Sequence, residues 1–106
     1  MTTSSDIFTD IKKDIAANRI ILYMKGSKMM PMCGFSARVV EALRECGADF
    51  ETRNILEDEN LRAAIKEFSD WPTLPQLYID QEFIGGCDIV LELFESGELQ
   101  RLVDNE

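Results

Sequence analysis

The pentapeptide Met32-Cys33-Gly34-Phe35-Ser36 brings one thiol to a place where a thiol can react. It follows an apolar run, Ile20-Ile21-Leu22-Tyr23-Met24, and precedes a helical pattern that begins near Phe35 and continues to Cys46. A cysteine at such a junction stands where a strand has ended and a helix begins. Backbone N–H groups and the positive end of the helix dipole stabilise a thiolate there. The thiolate is the form that attacks disulfides and binds soft metals. The competing reading is an inert core cysteine, since free cysteines are often buried. Cys33 lies ahead of the periodic apolar face, so its position does not demand burial.

Ser36 occupies the position at which a Cys-x-x-Cys pair would hold its second, resolving thiol. With a hydroxyl there, intramolecular resolution at that site is impossible. Gly34 lets the backbone approach a ligand closely. An exposed thiolate with no thiol beside it suits an iron–sulfur cluster. Such a cluster needs more ligands than the one obvious site a single chain offers. The chain has three cysteines and no histidine. That excludes a Cys/His nucleophilic pair and any His-ligated metal site. Any tuning of a thiol must come from the dipole, a lysine or an arginine. Cys46 falls on an apolar helix face and is assigned to the core.

Composition sets the remaining bounds. A length of 106 residues, 45% apolar and 29% charged, is that of one domain with one core, expected to span 1–106. No apolar run approaches the roughly 18 residues needed to cross a bilayer. The first fourteen residues lack both the apolar core of a signal peptide and the arginine-rich, acid-poor character of a transit peptide. A cytoplasmic location is the expectation, with a matrix protein freed of its presequence as the alternative. A net charge of −9 argues against nucleic acid or anionic membrane as a partner, since both are polyanions.

The elements that must position Cys33 follow from periodicity. Ile7, Phe8, Ile11 and Ile15 have helical spacing over 6–17, with Ser5 or Asp6 as a cap and Asn18 as a stop. Residues 20–24 read as a strand buried on both faces. Residues 25–32 form a loop. Phe35, Val39, Ala42, Leu43 and Cys46 share one helical face that Gly47 closes. A half-polar strand over 50–55 belongs near an edge. Asp58 caps a helix with Leu61, Ala64, Ile65 and Phe68 on its apolar face, which Trp71-Pro72-Thr73-Leu74-Pro75 stops. Residues 76–79 and 83–84 make a hairpin, Asp88 caps a helix over 89–94, and 98–103 form a last short one. The order α-β-α-β-α-β-β-α gives a parallel first strand pair and an antiparallel hairpin. The architecture is a thioredoxin-like α/β fold: a four-stranded mixed sheet flanked by helices.

Four motifs, in order and across nearly the whole chain, carry a family resemblance. They are Lys25-Gly26-Ser27, Pro31-x-Cys33-Gly34-Phe35-Ser36, Trp71-Pro72-Thr73-Leu74-Pro75-Gln76 and Gly85-Gly86-Cys87-Asp88. Together they resemble a monothiol glutaredoxin of the CGFS type. The resemblance implies a [2Fe–2S] cluster held by a homodimer, with Cys33 of each chain and the thiol of one glutathione on each side as ligands. It implies that Lys25 and Arg62, and also Lys66, match the positions that take the glycine-end carboxylate of glutathione. Asp58 and Glu59 can also reach Arg62 along the helix. Lys66 reads better as part of a solvated ion-pair face. Thr73-Leu74-Pro75 resembles the cis-proline loop that pairs with the cysteinyl part. Gly86, Cys87 and Asp88 match the helix start that holds the γ-glutamyl end. By the same resemblance, Cys87 can form a regulatory disulfide with Cys33. A BolA-type protein and iron–sulfur clients are the implied partners.

Two functions follow. One is a cluster carrier. The other is a glutathione-dependent thiol–disulfide oxidoreductase, in which Cys33 takes a glutathionyl group and a second glutathione removes it. By the same resemblance, Ser36 and the long loop before Cys33 favour the carrier, because that loop is the CGFS pattern, and the intact Cys33 and glutathione constellation disfavours a non-catalytic interaction module. Met29, Met30 and Met32 could recruit Cu(I), but methionines more often form adaptable apolar contact surface. That surface would rim the cluster, where a second chain or a client docks. One departure from the family stands at the hairpin: Gln81 occupies a turn position often held by glycine.

Overall fold

The computed structural model describes residues 4–105. Residues 1–3 of the stretch read for a leader, and the side chain of the expected cap Ser5, lie outside what is described. Five helices and four strands follow in chain order: α1 (Ser4–Ala17), β1 (Ile20–Met24), α2 (Gly34–Glu45), β2 (Glu51–Asn54), α3 (Glu59–Ser69), β3 (Gln76–Ile79), β4 (Glu82–Gly85), α4 (Cys87–Ser96) and α5 (Glu98–Asp104). The sheet order is β2-β1-β3-β4, with β1 parallel to β2 and both other pairings antiparallel. This is the expected thioredoxin-like mixed sheet, with the half-polar β2 at an edge.

The central strand explains the layering. All five residues of β1 are buried. Successive side chains of a strand point to opposite faces. Ile20, Leu22 and Met24 therefore join Val39, Leu43, Val90 and Leu99 of α2, α4 and α5 in one core. Ile21 and Tyr23 join Ile11 and Ile15 of α1 and Ile65 of α3 in the other. A polar residue anywhere in this run would face a helix, which is why the run is uniformly apolar.

Several boundaries differ from the sequence-based expectation, each for a local reason. Helix α1 already runs from Ser4, so Asp6 falls in its first turn rather than at its cap. Asn18 does end it, donating both N–H and Nδ2 to the Asp14 carbonyl. Strand β2 stops at Asn54, whose Oδ1 accepts from the Leu56 N–H and turns residues 55–57 into a short 3-10 helix. Helix α3 is capped by Asp58, which accepts from the N–H groups of Asn60 and Leu61 at 3.0 and 3.1 Å. It ends before the prolines, because Asp70 adopts a left-handed conformation with φ 54° and Trp71 N–H closes on the Lys66 carbonyl. The hairpin turns on two residues, Asp80 and Gln81, with φ of 52° and 68°. Both lie in the left-handed region that a type I′ turn requires. Gln81 thus takes the glycine-favoring conformation rather than a different turn.

Candidate functional site

The loop that leads into Cys33 is closed on itself. Gly26 bridges to Pro31, Met32 N–H donates to the Lys25 carbonyl at 2.9 Å, and Ser27 and Met30 exchange backbone bonds at 3.1 Å. Gly26 has φ +93°, and a Cβ there would lie 2.4 Å from Met32 N, so only glycine lets the two arms meet. Asn54 holds the loop from outside, its Oδ1 accepting from Gly26 N–H at 2.9 Å. Lys28 Nζ donates to the Phe50 carbonyl and lies over the Phe50 ring. The Lys25–Met32 loop is therefore a fixed platform that delivers Cys33 to the start of α2, at its N-cap, in extended backbone.

Cys33 is half-buried and its thiol is held below the ordinary range. The largest cause is the Ser36 backbone N–H; partial burial opposes it, and the Phe35 N–H, the Lys25 ammonium and the Ser36 hydroxyl add to the lowering. Hydrogen bonds to the charged form favour it, as free N–H groups at a helix start do. Ser36 itself is fully buried, and its Oγ accepts from Lys25 N–H at 3.2 Å. The serine that marks the absence of a second thiol thus also ties the platform to α2. Sequence reasoning foresaw the dipole and a lysine but missed this hydroxyl, because Ser36 was read only for the thiol it replaces.

The other two thiols differ in kind. Burial pushes both Cys46 and Cys87 up. Cys46 packs in the core, as its helix face requires. Cys87 is buried at the start of α4, with Asp88 and Cys33 raising its pKa further and Arg38 lowering it. All three cysteines are free thiols.

A cavity of about 480 Å³ opens beside Cys33. It brings together eight of the nine residues singled out in the sequence: Lys25, Cys33, Arg62, Thr73, Leu74, Gly86, Cys87 and Asp88. Pro75 stays behind the lining; its peptide bond with Leu74 is cis. Lys66, read in the sequence as part of a solvated ion-pair face, also lines the cavity. Among the described residues none of Lys25, Arg62 and Lys66 makes a salt bridge. Three cations therefore face one carboxylate, Asp88, in a chain whose net charge is −9. Phe35, Trp71, Pro72 and Ile89 complete the wall. Trp71 and Pro72 stood in the sequence only as part of a helix stop, with no place in a site.

Asp88 is not the N-cap that the sequence suggested. Helix α4 starts at Cys87, with Gly86 as its cap and no side-chain capping bond. A Cβ at Gly86 would lie 3.1 Å from Trp71 Nε1 and 3.4 Å from the Pro75 carbonyl oxygen, so a side chain there would have to push these neighbours aside. Asp88 is left in the first turn, where the dipole favours its charge, and it lines the cavity.

A metal cluster can use little of this donor set. Among the described residues no three His, Cys, Asp or Glu side chains converge on a point. Only Cys33 offers an accessible thiol of lowered pKa, so one chain fits a cluster only as a contributor of one ligand. The approach to Cys33 is open. A Cβ at Gly34 would meet nothing within 4 Å, and Met29, Met30, Met32 and Phe35 expose their apolar side chains around it.

Comparison with known proteins agrees with this geometry. The glutaredoxin family model matches residues 20–84. A monothiol glutaredoxin, ycf64, of Porphyra purpurea is 57% identical over 94 residues, 89% of this chain and 88% of its own length. Glutaredoxin 4 of Escherichia coli K12 is 50% identical over 93 residues, 88% of this chain and 81% of its own. The solution structure of reduced poplar apo GrxS14 superposes with a TM-score of 0.80 at 53% identity, covering 91% of this chain and 88% of that one. No helix among the described residues is long and apolar enough to cross a membrane. With a single accessible thiol at the helix start, a serine where a second thiol would stand, and relatives of this kind, the chain belongs to the monothiol glutaredoxins.

Proposed function

We propose that this chain is an iron–sulfur cluster carrier. Two chains share one [2Fe–2S] cluster as cargo, each giving Cys33 and each holding one glutathione whose thiol supplies a further ligand. The observation that carries this reading is the setting of Cys33. It is a thiol of lowered pKa at the rim of a cationic cavity, with a serine where a second thiol would compete. Glutathione has two carboxylates, an ammonium and a thiol. In this reading Lys25 and Arg62, joined by Lys66, take the glycine-end carboxylate. The backbone of Thr73-Leu74-Pro75 pairs with the cysteinyl residue. The N–H groups of Gly86, Cys87 and Asp88 take the γ-glutamyl carboxylate, and the Asp88 side chain accepts from the ammonium. The exposed Met29, Met30, Met32 and Phe35 give the second chain an apolar rim to meet. A BolA-type protein and apo iron–sulfur clients are the partners this reading assigns.

The lowered thiol supports a second reading, deglutathionylation. The Cys33 thiolate attacks the glutathione sulfur of a mixed disulfide and releases the client thiolate. A second glutathione thiolate then attacks the Cys33–glutathione disulfide, leaving glutathione disulfide and the Cys33 thiolate. Anaerobic reconstitution with iron, sulfide and glutathione separates the two. The carrier reading expects a coloured protein that loses its visible absorbance without glutathione or in Cys33→Ser. A colourless protein that turns over a glutathione mixed disulfide rapidly would replace it with the enzyme.

A further inference from the structure

Gln76 is fully buried, at the first position of β3 directly after Pro75. Its Nε2 donates to the Trp71 carbonyl at 3.1 Å and to the Thr73 carbonyl at 3.2 Å. On its other side Oε1 faces the Tyr78 hydroxyl at 3.5 Å. The bend it grips contains Pro72 and Pro75, neither of which has an N–H. A bend so poor in donors has few local partners for its own carbonyls, and a buried carbonyl left unpaired is costly. One carboxamide satisfies the two carbonyls that flank Pro72.

That bend is one wall of the cavity, through Trp71, Thr73 and Leu74. The start of α4, through Gly86, Cys87 and Asp88, lines the same cavity and abuts the bend. Trp71 spans the two. Its Nε1 lies 3.1 Å from where a Gly86 Cβ would stand, and its ring packs on Phe83 with centroids 5.6 Å apart. Nε1 is buried and has no hydrogen-bond partner among the described residues. What fixes Trp71 is its backbone: its N–H on Lys66 and its carbonyl on Gln76.

We infer that Gln76 is a positioning residue whose carboxamide, from behind the wall, sets how the Trp71–Leu74 bend sits against the start of α4. It thereby sets affinity for the peptide thiol that lies along both. The identity of that ligand rests on the reading proposed above; the brace itself does not. Trp71 is the sole tryptophan, so its fluorescence reports the wall directly. The test compares the unmodified protein with Gln76→Met, which keeps the volume and removes both donors, and Tyr78→Phe, which keeps both donors. Acrylamide quenching of Trp71, its emission maximum and glutathione affinity are measured for each. Gln76→Met is expected to unfold cooperatively, to expose Trp71 to quencher and to bind glutathione roughly threefold to tenfold more weakly, as losing one or two neutral hydrogen bonds implies. Tyr78→Phe is expected to match the unmodified protein in all three. Gln76→Met with unchanged quenching and affinity overturns the inference, and so does an equal loss in Tyr78→Phe, which would mean general loosening. If the unmodified protein binds no glutathione, the proposed function fails while Trp71 quenching still reads the brace. If Gln76→Met does not fold, solvent exchange of the Gln76 Nε2 hydrogens in the unmodified protein decides: protection supports the brace, and exchange at a free-amide rate removes it.

Discussion

At the scale of single residues, the three thiols should be told apart by pH. The lowered Cys33 thiol ionises first, so its alkylation rate should hold to lower pH than that of a free cysteine and be lost only as pH falls through its own pKa. Cys46 and Cys87 are shifted the other way by burial, so they should stay unmodified at neutral pH until the protein is unfolded. Mass spectrometry of iodoacetamide-treated protein across pH checks both; equal labelling of Cys33 and Cys87 at neutral pH would contradict the assignment. Gly86→Ala addresses a different contact. The added Cβ meets Trp71 Nε1 and the Pro75 carbonyl, so overpacking should cost about 1–3 kcal/mol in denaturant unfolding and shift Trp71 emission. Unchanged stability and emission would mean that the Gly86–Trp71 contact does not join the bend to α4. The thiol at the helix start could be read from residue order. The Ser36 hydroxyl bond and the Gln76 brace could not, because each depends on a partner brought close only by folding.

At the scale of elements, the same limit applies. The period-3.6 faces and the apolar β1 run announced the helices and the central strand, because burial leaves a repeating mark in the sequence. Caps and stops leave a mark only where a side chain does the work. Asp58 was legible for that reason, and Asp58→Ala should lower stability by ~1 kcal/mol in thermal or denaturant melts. Asp88 looked identical in sequence but stands one turn position inside α4, since Gly86 is the cap. Asp88→Asn should therefore cost less stability than Asp58→Ala while weakening glutathione binding; the opposite ranking would restore Asp88 as a cap. The hairpin offers a gain. Gln81 adopts φ 68°, where glycine has no steric penalty, so Gln81→Gly should raise stability by about 1 kcal/mol without touching the cavity. A fall in the unfolding midpoint would show that the Gln81 side chain contributes more than its backbone costs.

At the scale of the whole molecule, the sheet does one thing for function. It brings the loop after β1, the bend before β3 and the start of α4 to one end, where eight scattered residues line one cavity. The motif resemblance implied that convergence, whereas element order alone gave only the fold. Neither assigned Lys66 to the cavity, since its helix face read better as solvated. The cavity presents three cations and one carboxylate in a strongly acidic chain, so its affinity for an anionic peptide should weaken as salt rises. One thiol per chain cannot complete a cluster, and this makes stoichiometry the sharpest test. Sedimentation of anaerobically reconstituted protein, followed in both the protein band and the visible cluster band, measures it directly. A shared cluster requires that colour move only with a dimer carrying one [2Fe–2S] cluster and two glutathiones, and that Cys33→Ser sediment colourless. Colour that travels with a monomer, or with a dimer free of glutathione, would contradict it.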